Sequence, residues 1–259
     1  MSHSRQSLRL SPPAPAKSAF RVESGMFSTP EPDAAHAIFA PLHYERGYPY
    51  PLIVWLHGQG SNERQLLRIM PLVSMRNYVA VAPRGTVAGT GEMAGGDYTW
   101  SQADDHVPQA QQRVFEAIEA ISQRFHVAPR RIFLAGFDAG GTMAFRVALG
   151  HPERFAGVLS LGGPFPTGCS ALAKLPEARQ LPVLLAAGRR SSLYGEAEVC
   201  ADLRLLHTAG MSITLRLYPC AHELSPQMLS DVDRWIMEQI TSPAVAVEQS
   251  EPEWSREDL

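Results

Sequence analysis

Cysteine is scarce in this sequence. Cys169, Cys200 and Cys220 are the only three in 259 residues, and no two stand as C-x-x-C. An odd, scattered set argues against a disulfide framework, leaves room for one bridge, and offers no cysteine zinc site. Long apolar runs are missing too. Nothing approaches the roughly 18 consecutive apolar residues of a membrane-spanning helix. The opening stretch "MSHSRQSLRLSPPAPAKSAF" has no apolar centre of a secretory signal. Nor is there an excess of positive charge. Lys and Arg number 23 against 26 Asp and Glu, a formal net charge of -3, so the basic footprint of a nucleic-acid binder is absent. The phosphate-loop pattern G-x-x-x-x-G-K-[ST] is lacking, as is G-x-G-x-x-G at the start of a βαβ unit. His57, His106 and His222 match no zinc-ligand spacing. These absences predict a cytoplasmic chain with no membrane span, no nucleic-acid partner, no cofactor and no metal.

What is present is ordinary globular material, 45% hydrophobic and 19% charged, enough for a large core. Residues 1–18, rich in Ser, Pro and Ala, read as a disordered leader. Residues 242–259 read as a flexible acidic tail: Glu248, Glu251, Glu253, Glu257 and Asp258 face one Arg256, and Trp254 is its one aromatic residue. Residues 19–241 between them form a single predicted domain. "PLIVWLHG" is an unbroken apolar run of the kind found in buried parallel strands. "YVAVAPRG", "RIFLAGF", "FAGVLSLGG", "LPVLLAAGR" and "SITLRLYP" read as further strands, and "HAIFAPLHY" as an edge strand. Helices are predicted in "NERQLLRIMPLVSM" and in "DHVPQAQQRVFEAIEAISQRFH", where Val114, Phe115, Ile118 and Ile121 line one side. Three more are expected: "GGTMAFRVALGHPERF", closed by Gly150 and Pro152; "AEVCADLRLLHTAG", ended by Gly210; and "SPQMLSDVDRWIMEQI", opened by Ser-Pro. Strand and helix in alternation predict an α/β protein, a mostly parallel twisted sheet with helices on both faces.

Ligands of such sheets lie at the carboxyl ends of the strands. Four polar stretches fall there: "HGQGSNE", "RGTVAGTGEMAGGDYTW", "FDAGG" and "CAHE". The long glycine-rich loop from Arg84 to Trp100 is expected to wall a pocket. In "RIFLAGFDAGG", Gly136 and Gly140 flank Asp138 at the spacing of a strand–turn–helix elbow, which exposes the tip side chain above the sheet. The helix start beneath the tip favours negative charge, and a plainer role for Asp138 is helix N-cap. Amides of the turn "LHGQG", with Gln59 foremost, can converge with that of Ala139 into an oxyanion hole. His222 follows the last strand, where it can serve as a base.

These blocks resemble the α/β-hydrolase superfamily, and within it the phospholipase/carboxylesterase (acyl-protein thioesterase-like) branch, over nearly all of residues 38–240. "PLIVWLHGQGSNE" is similar to its oxyanion segment, "RIFLAGFDAGGTMAFRVALGHPERFAGVLSLGG" to its elbow and helix, and "LRLYPCAHELSPQMLSDVDRWI" to its histidine block. The resemblance implies an α/β-hydrolase fold and a Ser–His–acid triad, yet two of the three positions depart from it. Asp138 stands where the family has its serine, and the position of the family's acid aligns with Ser191, beside Arg189 and Arg190. The pocket is expected to include His57 and an aromatic wall at Trp100, while Trp55 belongs to the core of its strand. Glu196 or Glu198, or Asp104 or Asp105 from the other side, are candidates to orient His222.

Three accounts follow. The chain is a pseudo-hydrolase or small-ligand binder that lacks serine-esterase activity, with Arg189 or Arg190 paired to Asp138, and its ligand an acyl or ester compound. Alternatively Asp138 is itself the nucleophile, as the resemblance to dehalogenase and epoxide-hydrolase branches implies, with His222 activating water and the Gln59 and Ala139 amides holding the oxyanion. The linker "GGPFPTGCSALAKLPEARQLP" is too short for those branches' cap, so no large cap domain is expected. The third account is a non-catalytic interaction scaffold. The oligomeric state is left open.

Overall fold

The computed structural model describes residues 36–89, 96–168 and 173–241. The predicted leader, the acidic tail with Trp254, and Cys169 lie outside the described residues. In chain order the elements are β1 (His36–Phe39), β2 (Tyr50–Leu56), α1 (Gln65–Val73), β3 (Val79–Pro83), β4 (Val87–Ala88), β5 (Tyr98–Thr99), α2 (Val107–Arg124) and β6 (Val127–Phe137). They continue with α3 (Ala139–Gly150), β7 (Gly157–Leu161), the short α4 (Leu175–Ala178), β8 (Val183–Gly188), α5 (Glu196–Thr208), β9 (Ile213–Tyr218) and α6 (Pro226–Thr241).

Seven strands form one sheet in the order β1-β3-β2-β6-β7-β8-β9. Only β1 runs antiparallel to its neighbour, β3. The unbroken apolar runs follow from burial on both faces. In β2, Leu52, Val54 and Leu56 point into one layer, completed by α2, α3 and α5, while Ile53 and Trp55 point into the other, completed by α1 and α6. The period of two along a strand makes both layers from one run. Trp55 is thus a core residue, and its indole Nε1 donates to Gln65 Oε1 at 2.8 Å.

Two elements differ from expectation. β6 begins at Val127 rather than near Arg131. Its register against β2 shifts between Tyr50 and Leu52, and this irregularity accommodates Pro129 inside a strand. The Arg84–Trp100 segment is partly structured: β4 and β5 pair antiparallel, and Tyr98 N–H donates to Ser61 O at 2.6 Å, tying the ribbon to the turn after β2. Residues 162–182, which link β7 to β8, hold only the single turn α4 among the described residues. No large cap is built there.

β3 lies on one side of β2 and β6 on the other, so the chain changes direction between β2 and β6. A crevice opens at such a switch point. The segment after Leu56 and the segment after Phe137 meet at that point, where Gln59 N–H donates to Asp138 Oδ2.

Candidate active site

Asp138 stands alone between β6 and α3. Its backbone, at φ 53° and ψ -125°, lies in a region that non-glycine residues rarely enter. Such strain costs on the order of 1–3 kcal/mol and persists only where neighbours impose it. Asp138 N–H donates to Leu161 O at 3.0 Å, and its carbonyl accepts from Gly141 and Thr142 N–H at 2.8 and 3.1 Å. The glycines let helix and strand approach. A Cβ on Gly136 would strike the Gly140 carbonyl, and one on Gly140 would strike the carbonyls of Leu56 and His57. The turn is therefore wedged against the end of β2.

The Asp138 side chain does not cap α3, so the plainer N-cap role is set aside. It points across the crevice instead. Oδ2 accepts the N–H of Gln59 at 3.0 Å, and Oδ1 lies 3.3 Å from His222 Nε2. The N–H of Ala139 has no hydrogen-bond partner among the described residues. Its carbonyl accepts from Gln102 Nε2 at 3.0 Å.

His222 comes from the turn after β9. The loops after β8 and β9 are stitched together: Arg189 N–H donates to Tyr218 O at 2.8 Å and Arg190 N–H to Cys220 O at 3.0 Å. The stitching brings Ser191 beside the imidazole. Ser191 Oγ is 3.0 Å from His222 Nδ1 and accepts the N–H of Tyr194 at 3.1 Å. The other ring nitrogen, Nε2, is buried and lacks an aligned hydrogen bond. Its contact with Asp138 is charge-range proximity rather than an in-line bond. The Phe137 ring packs on the imidazole, 5.2 Å between centroids.

Other expected site residues lie elsewhere. Trp100 is not a pocket wall: it is buried in the core, and its Nε1 donates to His57 O at 3.1 Å. His57 does not line the crevice either. It is fully buried, with Nε2 accepting the N–H of Gly85 at 2.9 Å and Nδ1 2.9 Å from Gly58 O. An acceptor at Nε2 puts its proton on Nδ1. Burial holds the His57 pKa below the ordinary histidine value, against smaller upward pulls from the Gly58 carbonyl, Glu63 and Asp97. Its work is to clamp the turn after β2 to the segment after β3.

The arginines do not face Asp138. Both are exposed, and Arg190 Nη2 donates to Pro219 O at 2.9 Å. Their flexible stems find better hydration outside than in a crevice whose carboxylate is already satisfied. The glutamates do not orient His222. Glu196 is exposed on α5, and Glu198 Oε2 accepts the N–H of Gly195 at 3.0 Å as part of the helix cap. Asp104 pairs with Arg146 at 2.8 Å, and Asp105 lies 4.0 Å from His106. The residue beside His222 Nδ1 is Ser191. The resemblance puts the family's acid at that position, and a hydroxyl stands there in contact with the ring.

A second polar anchor was missed. Glu63, buried, takes a two-point bond from Arg84, with Nε–Oε2 3.0 Å and Nη2–Oε1 2.8 Å. Burial acts to raise the Glu63 pKa, but the Arg84 bonds and charge outweigh it and hold the carboxyl below its ordinary value. Among the described residues no three His, Cys, Asp or Glu side chains gather as a metal site, and no helix is long and apolar enough to cross a membrane.

The sheet order, the two helical layers and the strained turn at the switch point define the α/β-hydrolase fold. Solved structures share it: a Bacillus cereus carboxylesterase matches with a TM-score of 0.62 at 18% identity over 79% of this chain and 93% of its own. A Mesorhizobium loti carboxylesterase matches at 0.59 and 18%, over 72% and 88%. The chain belongs to the Phospholipase/Carboxylesterase family, whose model matches residues 44–240. Among curated relatives, "Putative esterase NocK" of Nocardia uniformis subsp. tsuyamanensis is 30% identical over 65% of this chain and 47% of its own length. A "Probable inactive carboxylesterase" of Oryza sativa subsp. japonica is 27% identical over 48% and 53%. The chain thus spans about half the length of these two relatives.

Proposed function

We propose that this chain is a non-hydrolytic member of its family, which holds a small acyl or ester compound without cleaving it. The observation that carries this is the bond from Gln59 N–H to Asp138 Oδ2 at 3.0 Å. In ester hydrolysis that amide would meet the oxygen of a tetrahedral intermediate. Here the chain's own carboxylate already uses it. Losing one such donor costs a hydrolase about 10²–10³ in rate. The carboxylate also repels a developing oxyanion. Its own attack on an ester carbonyl would give an anhydride that readily reverts. The ligand class follows the two relatives, one a putative esterase and one a probable inactive carboxylesterase. The test is turnover of p-nitrophenyl acetate and butyrate, expected to be no faster than with denatured protein. Saturable hydrolysis that disappears in His222→Ala would overturn the proposal.

The same bond favours one other reading, alkyl transfer to Asp138. Oδ1 would displace a leaving group from an sp³ carbon. Water, its proton taken by His222, would then attack Cγ while Oδ2 took the charge in the Gln59 amide, and the Cγ–Oδ1 bond would break to release the alcohol. Two features weigh against it. No cap covers the crevice among the described residues, and His222 has a serine rather than a carboxylate behind it.

A further inference from the structure

Asp138, His222 and Ser191 touch in sequence: Oδ1 to Nε2 at 3.3 Å, then Nδ1 to Oγ at 3.0 Å. These are the three residue types of a serine hydrolase triad, with the outer two exchanged across the imidazole. We infer that Ser191 is a positioning residue whose hydroxyl, by donating to His222 Nδ1, lets the Asp138 carboxylate hold the imidazole in the non-productive tautomer, and that this exchange alone arrests an otherwise complete hydrolytic site. The inference rests on the non-hydrolytic reading above.

The physical argument is proton placement. A carboxylate only accepts hydrogen bonds, whereas a serine hydroxyl can donate or accept. The Asp138 charge, 3.3 Å from Nε2, favours the neutral tautomer with its proton there, by proximity rather than through an aligned bond. Nδ1 is left as acceptor for the Ser191 hydroxyl, whose oxygen also accepts Tyr194 N–H at 3.1 Å. In a working triad the carboxylate is on the Nδ1 side, which leaves the Nε2 lone pair free to take the nucleophile's proton. Exchange of the two residues turns that lone pair away from the crevice. It also puts the carboxylate into the amide that would receive the oxyanion.

The rest of the machinery fits the reverse assignment. The strained turn holds the tip residue, and Ala139 N–H is open. At position 191 the Tyr194 N–H is ready to bond a carboxylate, and Arg189 and Arg190 precede it to favour its charge.

The experiment is the reciprocal double variant Asp138→Ser with Ser191→Asp, assayed with p-nitrophenyl acetate beside each single variant and the native chain. The double variant should exceed Asp138→Ser by on the order of 10²–10⁴-fold in kcat, as expected when an orienting acid is supplied. It should lose that gain when His222→Ala is added. A folded double variant, judged by its thermal melt, that is no faster than Asp138→Ser overturns the inference. If the double variant does not fold, ¹⁵N NMR of His222 in the native chain at alkaline pH decides: a proton on Nε2 supports the inference, and a proton on Nδ1 overturns it. Hydrolysis by the native chain would instead sink the non-hydrolytic reading, so the two failures are distinct.

Discussion

Ser191 Oγ lies 3.0 Å from His222 Nδ1, in the place where the family's resemblance puts a carboxylate. The pair makes His222 part of a built network rather than a stray loop histidine. It also changes what the imidazole can do, because a hydroxyl stabilises an imidazolium far less than a carboxylate does. On the proposed reading, base catalysis by His222 is weakened even before the aspartate at position 138 is counted.

The first prediction concerns alkyl transfer. Incubating His222→Ala with a panel of small haloalkanes and epoxides should leave the intact mass unchanged. With the base removed, any alkyl ester on Asp138 would be trapped. An added mass mapped to the Asp138 peptide would establish that chemistry.

The Glu63–Arg84 pair anchors the turn after β2 to the end of β3. Arg84→Ala leaves Glu63 charged and buried, so it should cost about 2–4 kcal/mol, toward the lower end of the range for broken buried pairs because Arg84 is partly exposed. Urea unfolding measures this. A cost below about 0.5 kcal/mol would reduce the pair to an ordinary surface bridge.

His57 predicts an acid sensitivity. Its folded pKa is lowered, chiefly by burial. The unfolded chain therefore binds the proton first, near the ordinary histidine value of about 6.5. Stability from neutral His57 is present above that pH and is lost as pH falls through the folded value. Protonation would also set a donor against Gly85 N–H. His57→Gln should be less stable at neutral pH, with a flatter decline below about pH 6.5 than the native chain. Parallel declines in paired denaturation curves would contradict the assignment.

Gly140 is fixed by close approach rather than by its dihedrals. Gly140→Ala would drive a methyl group into the Leu56 and His57 carbonyls, and backbone cannot yield as a side chain tip can. A loss of about 3 kcal/mol or more is expected, in the range of severe overpacking. A melting temperature close to native would mean that the turn can open.

The fold was largely legible because burial on both faces writes strands as apolar runs and the helices carry caps and amphipathic stripes. β6 was read short because Pro129 interrupts its run, and a proline argues against a strand until a register shift is seen to absorb it. The turn at Asp138 was legible from Gly136 and Gly140, which no other geometry required. Trp100 and His57 were misjudged because polarity and position near a strand end do not reveal depth. Ser191 was found only as an absence. A hydroxyl carries no sequence signal for hydrogen bonding to a histidine 31 residues away, and two loops had to be stitched together before the contact could exist.

In the proposed reading Asp138 occupies, with its own carboxylate, the Gln59 amide that hydrolysis would need. The most direct measurement is the ¹H–¹⁵N resonance of Gln59 in the native chain and in Asp138→Asn. An amide bonded to a carboxylate resonates well downfield and moves when that charge is removed. The account predicts a downfield Gln59 proton that shifts upfield in Asp138→Asn, with the Gly140 and Gly141 amides much less affected. A Gln59 resonance at an ordinary position, unchanged by the substitution, would contradict it.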